Sequence, residues 1–137
     1  MGYLLIIDDD LDLANAMAMV LKSDDHEVGM YGDIESAFES FKNRFPDLVI
    51  LDVMFSGYNS RGFAMARRIA ALTQQVPILM LTAINSHFQL DFSASDIEES
   101  WMPITEFLEK PVNFTELRKR VKELLEKKKQ AYAGKDL

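Results

Sequence analysis

Five short apolar runs punctuate the chain, at residues 4–7, 28–31, 48–51, 78–81 and 104–108. The first, third and fourth consist wholly of Leu, Ile, Val or Met. Runs this short and this apolar predict strands buried on both faces, as in a parallel sheet. The second and fifth carry a weaker form of the signal, because Gly29 interrupts one and Thr105 and Glu106 the other.

Helical spacing fills the intervals. Leu13, Met17, Val20 and Leu21 fall on one face of a helix. Asp33 is placed to cap a second helix, which carries Ala37, Phe38 and Phe41. Phe63, Ala66, Ile69 and Ala70 form a third stripe. Asn113 and Glu116 have the spacing of a capping box, with Asn in the Ser/Thr role, and lead into Leu117, Val121, Leu124 and Leu125. Strands alternating with helices predict an α/β fold with right-handed crossovers.

Residues 83–103 break this rhythm. They hold Phe88, Phe92 and Trp101 and the acids Asp91, Asp96, Glu98 and Glu99, with no clean helical stripe. The stretch is too long for an ordinary connection, so it is either a short helix with long flanks or a functional loop. The three aromatics read first as a small packed cluster under such a loop, and second as a binding site.

Composition narrows the classes. A length of 137 residues favours one domain with a real core, placed at 1–126, with 127–137 a basic tail or the start of a linker. Lys127, Lys128 and Lys129 read as a solvated helix end that complements the macrodipole, ahead of a nucleic-acid patch. The absence of cysteine excludes disulfides and thiolate metal sites and permits a cytoplasmic location. No apolar run approaches the ~18 residues of a membrane span, and no secretory signal opens the chain. Met1-Gly2 lacks the following Ser or Thr of a myristoylation signal, since Ile6 stands there. A net charge of -7 argues against direct nucleic-acid binding. His26 and His87 lie far apart in polar surroundings and read as loop residues.

The acids are unevenly placed. Asp8, Asp9, Asp10 and Asp12 crowd behind the first apolar run. Like charges about 4 Å apart repel by roughly 4 kcal/mol at an effective dielectric near 20. Something must offset that cost, or the carboxylates must point apart. Open α/β sheets bind ligands beyond the carboxyl ends of their strands. Asp8 and Asp9 follow the first run, Asp52 the third, Thr82 the fourth, and Lys110-Pro111 the fifth; the second ends blandly at Tyr31-Gly32. If the first, third, fourth and fifth strands are neighbours, three carboxylates, a hydroxyl and an ammonium converge on one rim. Carboxylate oxygens suit Mg²⁺, a carboxylate can form an aspartyl phosphate, and a lysine suits a phosphoryl oxygen as a compact charge. The plainer readings are a helix N-cap for the first aspartates, an ordinary strand-end threonine, and a Lys-Pro turn.

The runs LLIIDDD, LVILDVM, ILMLTA and FLEKP, in that order, resemble a receiver domain of two-component response regulators over essentially the whole chain. The resemblance implies a flavodoxin-like, doubly wound, five-stranded parallel sheet of order 2-1-3-4-5 with helices on both faces. It implies that Asp52 is the phosphoacceptor. Asp8 and Asp9 would hold Mg²⁺ or Mn²⁺ together with Asp52 and the backbone carbonyl of Met54. Thr82 matches the switch hydroxyl, Ala83 the small residue that leaves phosphate access, and Phe107 the aromatic switch position. Lys110 matches the phosphate-contacting lysine, with a cis bond expected to Pro111. The implied partners are a sensor histidine kinase or phosphotransfer protein and a downstream protein of unknown identity. Dimerisation stays open. Self-phosphorylation and autodephosphorylation chemistry is implied, without conventional turnover.

Two departures accompany the likeness. Ser56 and Ser60 stand where the family usually has proline and glycine, and a glycine appears instead at Gly62. The interval from Thr82 to Lys110 is several residues longer than usual, which makes residues 85–103 the expected output surface. Two other readings remain. One is a pseudo-receiver that binds partners without phosphorylation. The other is a haloacid-dehalogenase-type phosphatase with Asp8 as nucleophile, although Asp12 stands where that motif wants Thr or Val.

Overall fold

The computed structural model describes residues 2–52, 59–73, 75–83 and 105–135. In chain order the elements are β1 (Tyr3–Ile7), α1 (Leu11–Ser23), β2 (Glu27–Tyr31), α2 (Ile34–Asn43), β3 (Leu48–Asp52), α3 (Asn59–Leu72), β4 (Ile78–Ala83), β5 (Thr105–Lys110) and α4 (Phe114–Lys135). Over its described residues every apolar run lies in a strand, including the two with the weaker signal. The strands form one sheet of order β2-β1-β3-β4-β5, with every adjacent pair parallel. This is the doubly wound, flavodoxin-like order, and it makes β1, β3, β4 and β5 contiguous.

Strand period two divides the core between the faces. Leu5, Ile7, Val49, Leu51, Ile78 and Met80 pack against Ala37 and Phe41 of α2 and Phe63, Met65, Ala66 and Ile69 of α3. Leu4, Ile6, Leu48, Ile50, Leu79, Leu81 and Leu108 pack against α1 and against Leu117, Val121 and Leu124 of α4. The three central strands are therefore sealed on both sides, which explains their unbroken apolar sequence. β2 lies at the edge with no buried residue, and its mixed composition reflects that position.

The α1 stripe differs from its expected centre. The buried residues are Ala14, Met17, Ala18 and Leu21, whereas Leu13 is only partly buried. Two small alanines let the helix lie close on the sheet, and the larger residues flank the contact. Capping follows the sequence signals: the Asp33 side chain accepts from the Ser36 N–H at 3.0 Å, and Asn113 accepts from the Glu116 N–H at 3.0 Å. The reciprocal half of the capping box is replaced, because Glu116 pairs with Arg120 at 2.9 Å, one turn along α4.

Helix α4 continues past residue 126 to Lys135. Lys127 reaches Glu106 at 3.1 Å and Lys128 reaches Asp47 at 3.3 Å. Asp47 also accepts from the Tyr3 N–H at 2.8 Å, so one carboxylate ties the entries of β1 and β3 to the last helix. Among the described residues, no helix is long and apolar enough to cross a membrane.

Candidate functional site

The carboxyl ends of β1, β3, β4 and β5 meet at one rim of the sheet. Just beyond β1, the Asp8 N–H donates to the Tyr31 carbonyl at 3.1 Å. The Asp8 side chain is fully buried, and its Oδ1 accepts from the Asp10 N–H at 2.9 Å. This is an Asx turn, which folds the chain back on the carboxylate two residues earlier. The Asp10 side chain then caps α1 by accepting from the Leu13 N–H at 3.1 Å, while Asp12 lies in the first turn of α1, where the helix dipole favours negative charge. The four crowded aspartates thus have separate fates. Two belong to the start of a helix, and two face the rim.

Asp8 Oδ2 is sealed from solvent and has no hydrogen-bond partner. The Lys110 ammonium lies 3.6 Å from it, too far for a hydrogen bond but close enough for charge attraction. Burial pushes the Asp8 carboxyl up to about 6, and the neighbouring Asp52 charge adds to this, while the Asp10 N–H and Lys110 act against it. Lys110 also stands 3.5 Å from Asp52 Oδ1. Asp52 and Thr82 are each only 4% exposed. One carboxylate oxygen from each of Asp8, Asp9 and Asp52 comes within 4.8 Å of the others, and Asp9 is exposed.

The residues present fit a hard divalent cation. Three oxygen donors converge, one buried oxygen lacks a partner, and the exposed side leaves room for the waters that Mg²⁺ retains.

Register places the other candidates. Thr82 pairs with Glu109, Ala83 with Lys110, and Met80 with Phe107. Period two therefore puts Thr82, Met80 and Phe107 on the face that packs against α2 and α3, and Phe107 is partly buried there. Asp52 and Lys110 follow Ile50 and Leu108 on the other face. The Lys110–Pro111 peptide bond is cis. Met54 and Ser56 lie outside the described residues, as do His87 and the aromatics Phe88, Phe92 and Trp101.

The sequence reading gave Asp10 no part in positioning Asp8. Its backbone N–H on Asp8 was missed, although an aspartate two residues before a capping aspartate is a readable Asx signal.

Residues 4–122 match the family model described as the response regulator receiver domain, and the chain belongs to that family. It is 38% identical over 85 residues to the transcriptional regulatory protein AfsQ1 of Streptomyces coelicolor, an alignment covering 62% of this chain and 36% of the relative. It is 32% identical over 104 residues to the sensory transduction protein LytT of Bacillus subtilis, covering 74% of this chain and 42% of LytT. The chain thus spans well under half the length of these curated relatives. The solved receiver domain of NtrX from Brucella abortus is 27% identical and superposes with a TM-score of 0.74, covering 90% of this chain and 98% of that one. The chain is a receiver domain of two-component signalling, a family that works with kinase or phosphotransfer partners and generally binds Mg²⁺ at an acidic pocket.

Proposed function

We propose that Asp52 accepts a phosphoryl group from a phosphohistidine of a sensor kinase or phosphotransfer protein. The observation that supports this most strongly is a buried Asp52 with the Lys110 ammonium 3.5 Å from its Oδ1, beside a convergent acidic pair. An Asp52 oxygen attacks phosphorus, the P–N bond breaks, and the imidazole leaves with the electron pair. Lys110 offers a fixed positive charge to the oxygens of the arriving group. Asp8, Asp9 and Asp52 would hold Mg²⁺ or Mn²⁺, joined by the Met54 carbonyl. When bound, the ion supplies further charge neutralisation to the transferring phosphoryl group. Burial excludes water from Asp52 on the protein side and leaves approach from the rim.

The Thr82 hydroxyl sits one strand away, on the face it shares with Phe107. In this reading it hydrogen-bonds the new phosphoryl oxygens, and Phe107 repacks with it. Such a switch works only through a differential interaction of the phosphorylated state with the two arrangements. Ala83 would leave the phosphate its access.

Intact mass after incubation with acetyl phosphate and Mg²⁺ tests the assignment. A phosphoryl adduct that requires Mg²⁺ and vanishes in Asp52→Asn is expected. An adduct kept in Asp52→Asn and lost in Asp8→Asn would overturn it in favour of the phosphatase chemistry.

A further inference from the structure

We infer that Asp10 is a positioning residue for the metal site, acting through its own backbone. This inference rests on the proposed acidic cation site. Two hydrogen bonds meet at Asp10. Its N–H donates to Asp8 Oδ1 at 2.9 Å, and its side chain accepts from the Leu13 N–H at 3.1 Å. The second bond holds Asp10 in the extended conformation of an N-cap, at φ -81 and ψ 93. With its backbone held, its N–H is aimed at one particular oxygen of Asp8.

The consequence falls on the other oxygen. Asp8 is anchored at its N–H by Tyr31 and at Oδ1 by Asp10. Its carboxylate can no longer rotate freely, and Oδ2 is left buried and without a hydrogen bond. That oxygen is the one facing Lys110. Leaving a buried carboxylate oxygen unsatisfied is costly, and the cap at Asp10 keeps it from finding a partner by turning. Asp9 sits in the bend between the two anchored residues, so the same turn delivers its carboxylate to the rim beside Asp8 and Asp52. Asp10 thereby orients both without contributing a ligand atom of its own. Outer-shell partners of this kind typically affect metal affinity by about 10- to 100-fold when removed. Here the N–H itself survives substitution and only its orientation is loosened, so a smaller effect of about three- to tenfold follows.

Titration calorimetry of the full chain with MgCl₂ separates the possibilities, each variant being measured well below its melting temperature. Asp10→Ala removes the cap and the charge. Asp10→Ser and Asp10→Asn remove the charge and keep a capping oxygen. Asp12→Asn removes a neighbouring charge and leaves the turn alone. The inference expects weaker Mg²⁺ binding in Asp10→Ala, with Ser, Asn and the Asp12 variant close to the parent chain. Should Asp10→Ala fail to fold, Asp10→Gly takes its place, since glycine is tolerated at N-caps but brings no side-chain acceptor. Equal weakening in Ala, Ser and Asn would show that the Asp10 charge acts at long range and would overturn the positioning role. Unchanged affinity in Asp10→Ala alongside a lowered melting temperature would overturn it too, leaving an ordinary helix cap. No Mg²⁺ binding by the parent chain would instead remove the proposed metal site, and the inference with it.

Discussion

The Lys110 ammonium lies 3.5 Å from an Asp52 carboxylate oxygen although the two residues are 58 positions apart and sit on strands that do not touch. β4 lies between them, and the lysine reaches across its end. That reach makes Lys110 the counter-charge for a rim of carboxylates. Lys110→Ala should slow phosphoryl uptake from acetyl phosphate by about 10²- to 10³-fold, the usual scale for losing one charged stabiliser of a transition state. Lys110→Arg should recover little, since a planar fork does not replace a point charge at this spot. Rates of adduct formation by mass spectrometry check this.

Asp8 should make the metal-free protein's stability depend on pH with an unusual sign. Its carboxyl is raised from an ordinary 3.8 to about 6 by burial and then by Asp52. Between those values the folded chain binds more protons than the unfolded one. The stabilising contribution is complete below about 4 and is lost as pH rises through about 6. Asp8→Asn removes this dependence and should stabilise the metal-free protein at pH 7 by roughly 1–3 kcal/mol. Urea titrations at pH 5 and pH 7 in a chelator would show it; a variant less stable than the parent chain at pH 7 would contradict it.

Mg²⁺ should offset part of that difference. At tenfold its dissociation constant the ion should add about 1.4 kcal/mol to the parent chain. Asp9→Asn should lose most of this increment while leaving the metal-free stability almost unchanged, because Asp9 is exposed. Paired melts with and without Mg²⁺ measure both quantities. An undiminished increment in Asp9→Asn would exclude it as a ligand.

At the opposite rim, Asp47→Ala should cost more than Lys128→Ala. Removing Asp47 leaves the Tyr3 N–H without its acceptor and breaks the contact to Lys128, an expected loss of about 1–2 kcal/mol. Removing Lys128 breaks a partly exposed ion pair with Asp47, worth at most about 1 kcal/mol. Urea midpoints of the two variants, with the slope unchanged, decide the order.

Much of this protein was legible because its signals are local. Four residues such as Leu48 to Leu51 are apolar because both their faces are covered, and that pattern needs no knowledge of what covers them. Asp33 and Asn113 announce their helices through hydrogen bonds only three residues long. The convergence of Asp8, Asp52 and Lys110 was legible for a related reason: each lies at or just beyond a strand end, and parallel strands bring their carboxyl ends to the same side.

What one dimension does not contain is which strands are neighbours and which oxygen meets which proton. β2 follows β1 in the chain and lies at the edge of the sheet, so Tyr31 reaches the site only through a backbone carbonyl. The division of Thr82 and Phe107 to one face, and of Asp52 and Lys110 to the other, depends on register across three strands. The separate roles of Asp8, Asp9, Asp10 and Asp12 needed the turn itself. Sequence determined that the charges are crowded; the backbone hydrogen bond from Asp10 to Asp8 and the distant arrival of Lys110 decided how the crowding is borne. Local periodicity is set by chain geometry, whereas charge compensation is set by whatever the fold brings within a few ångströms.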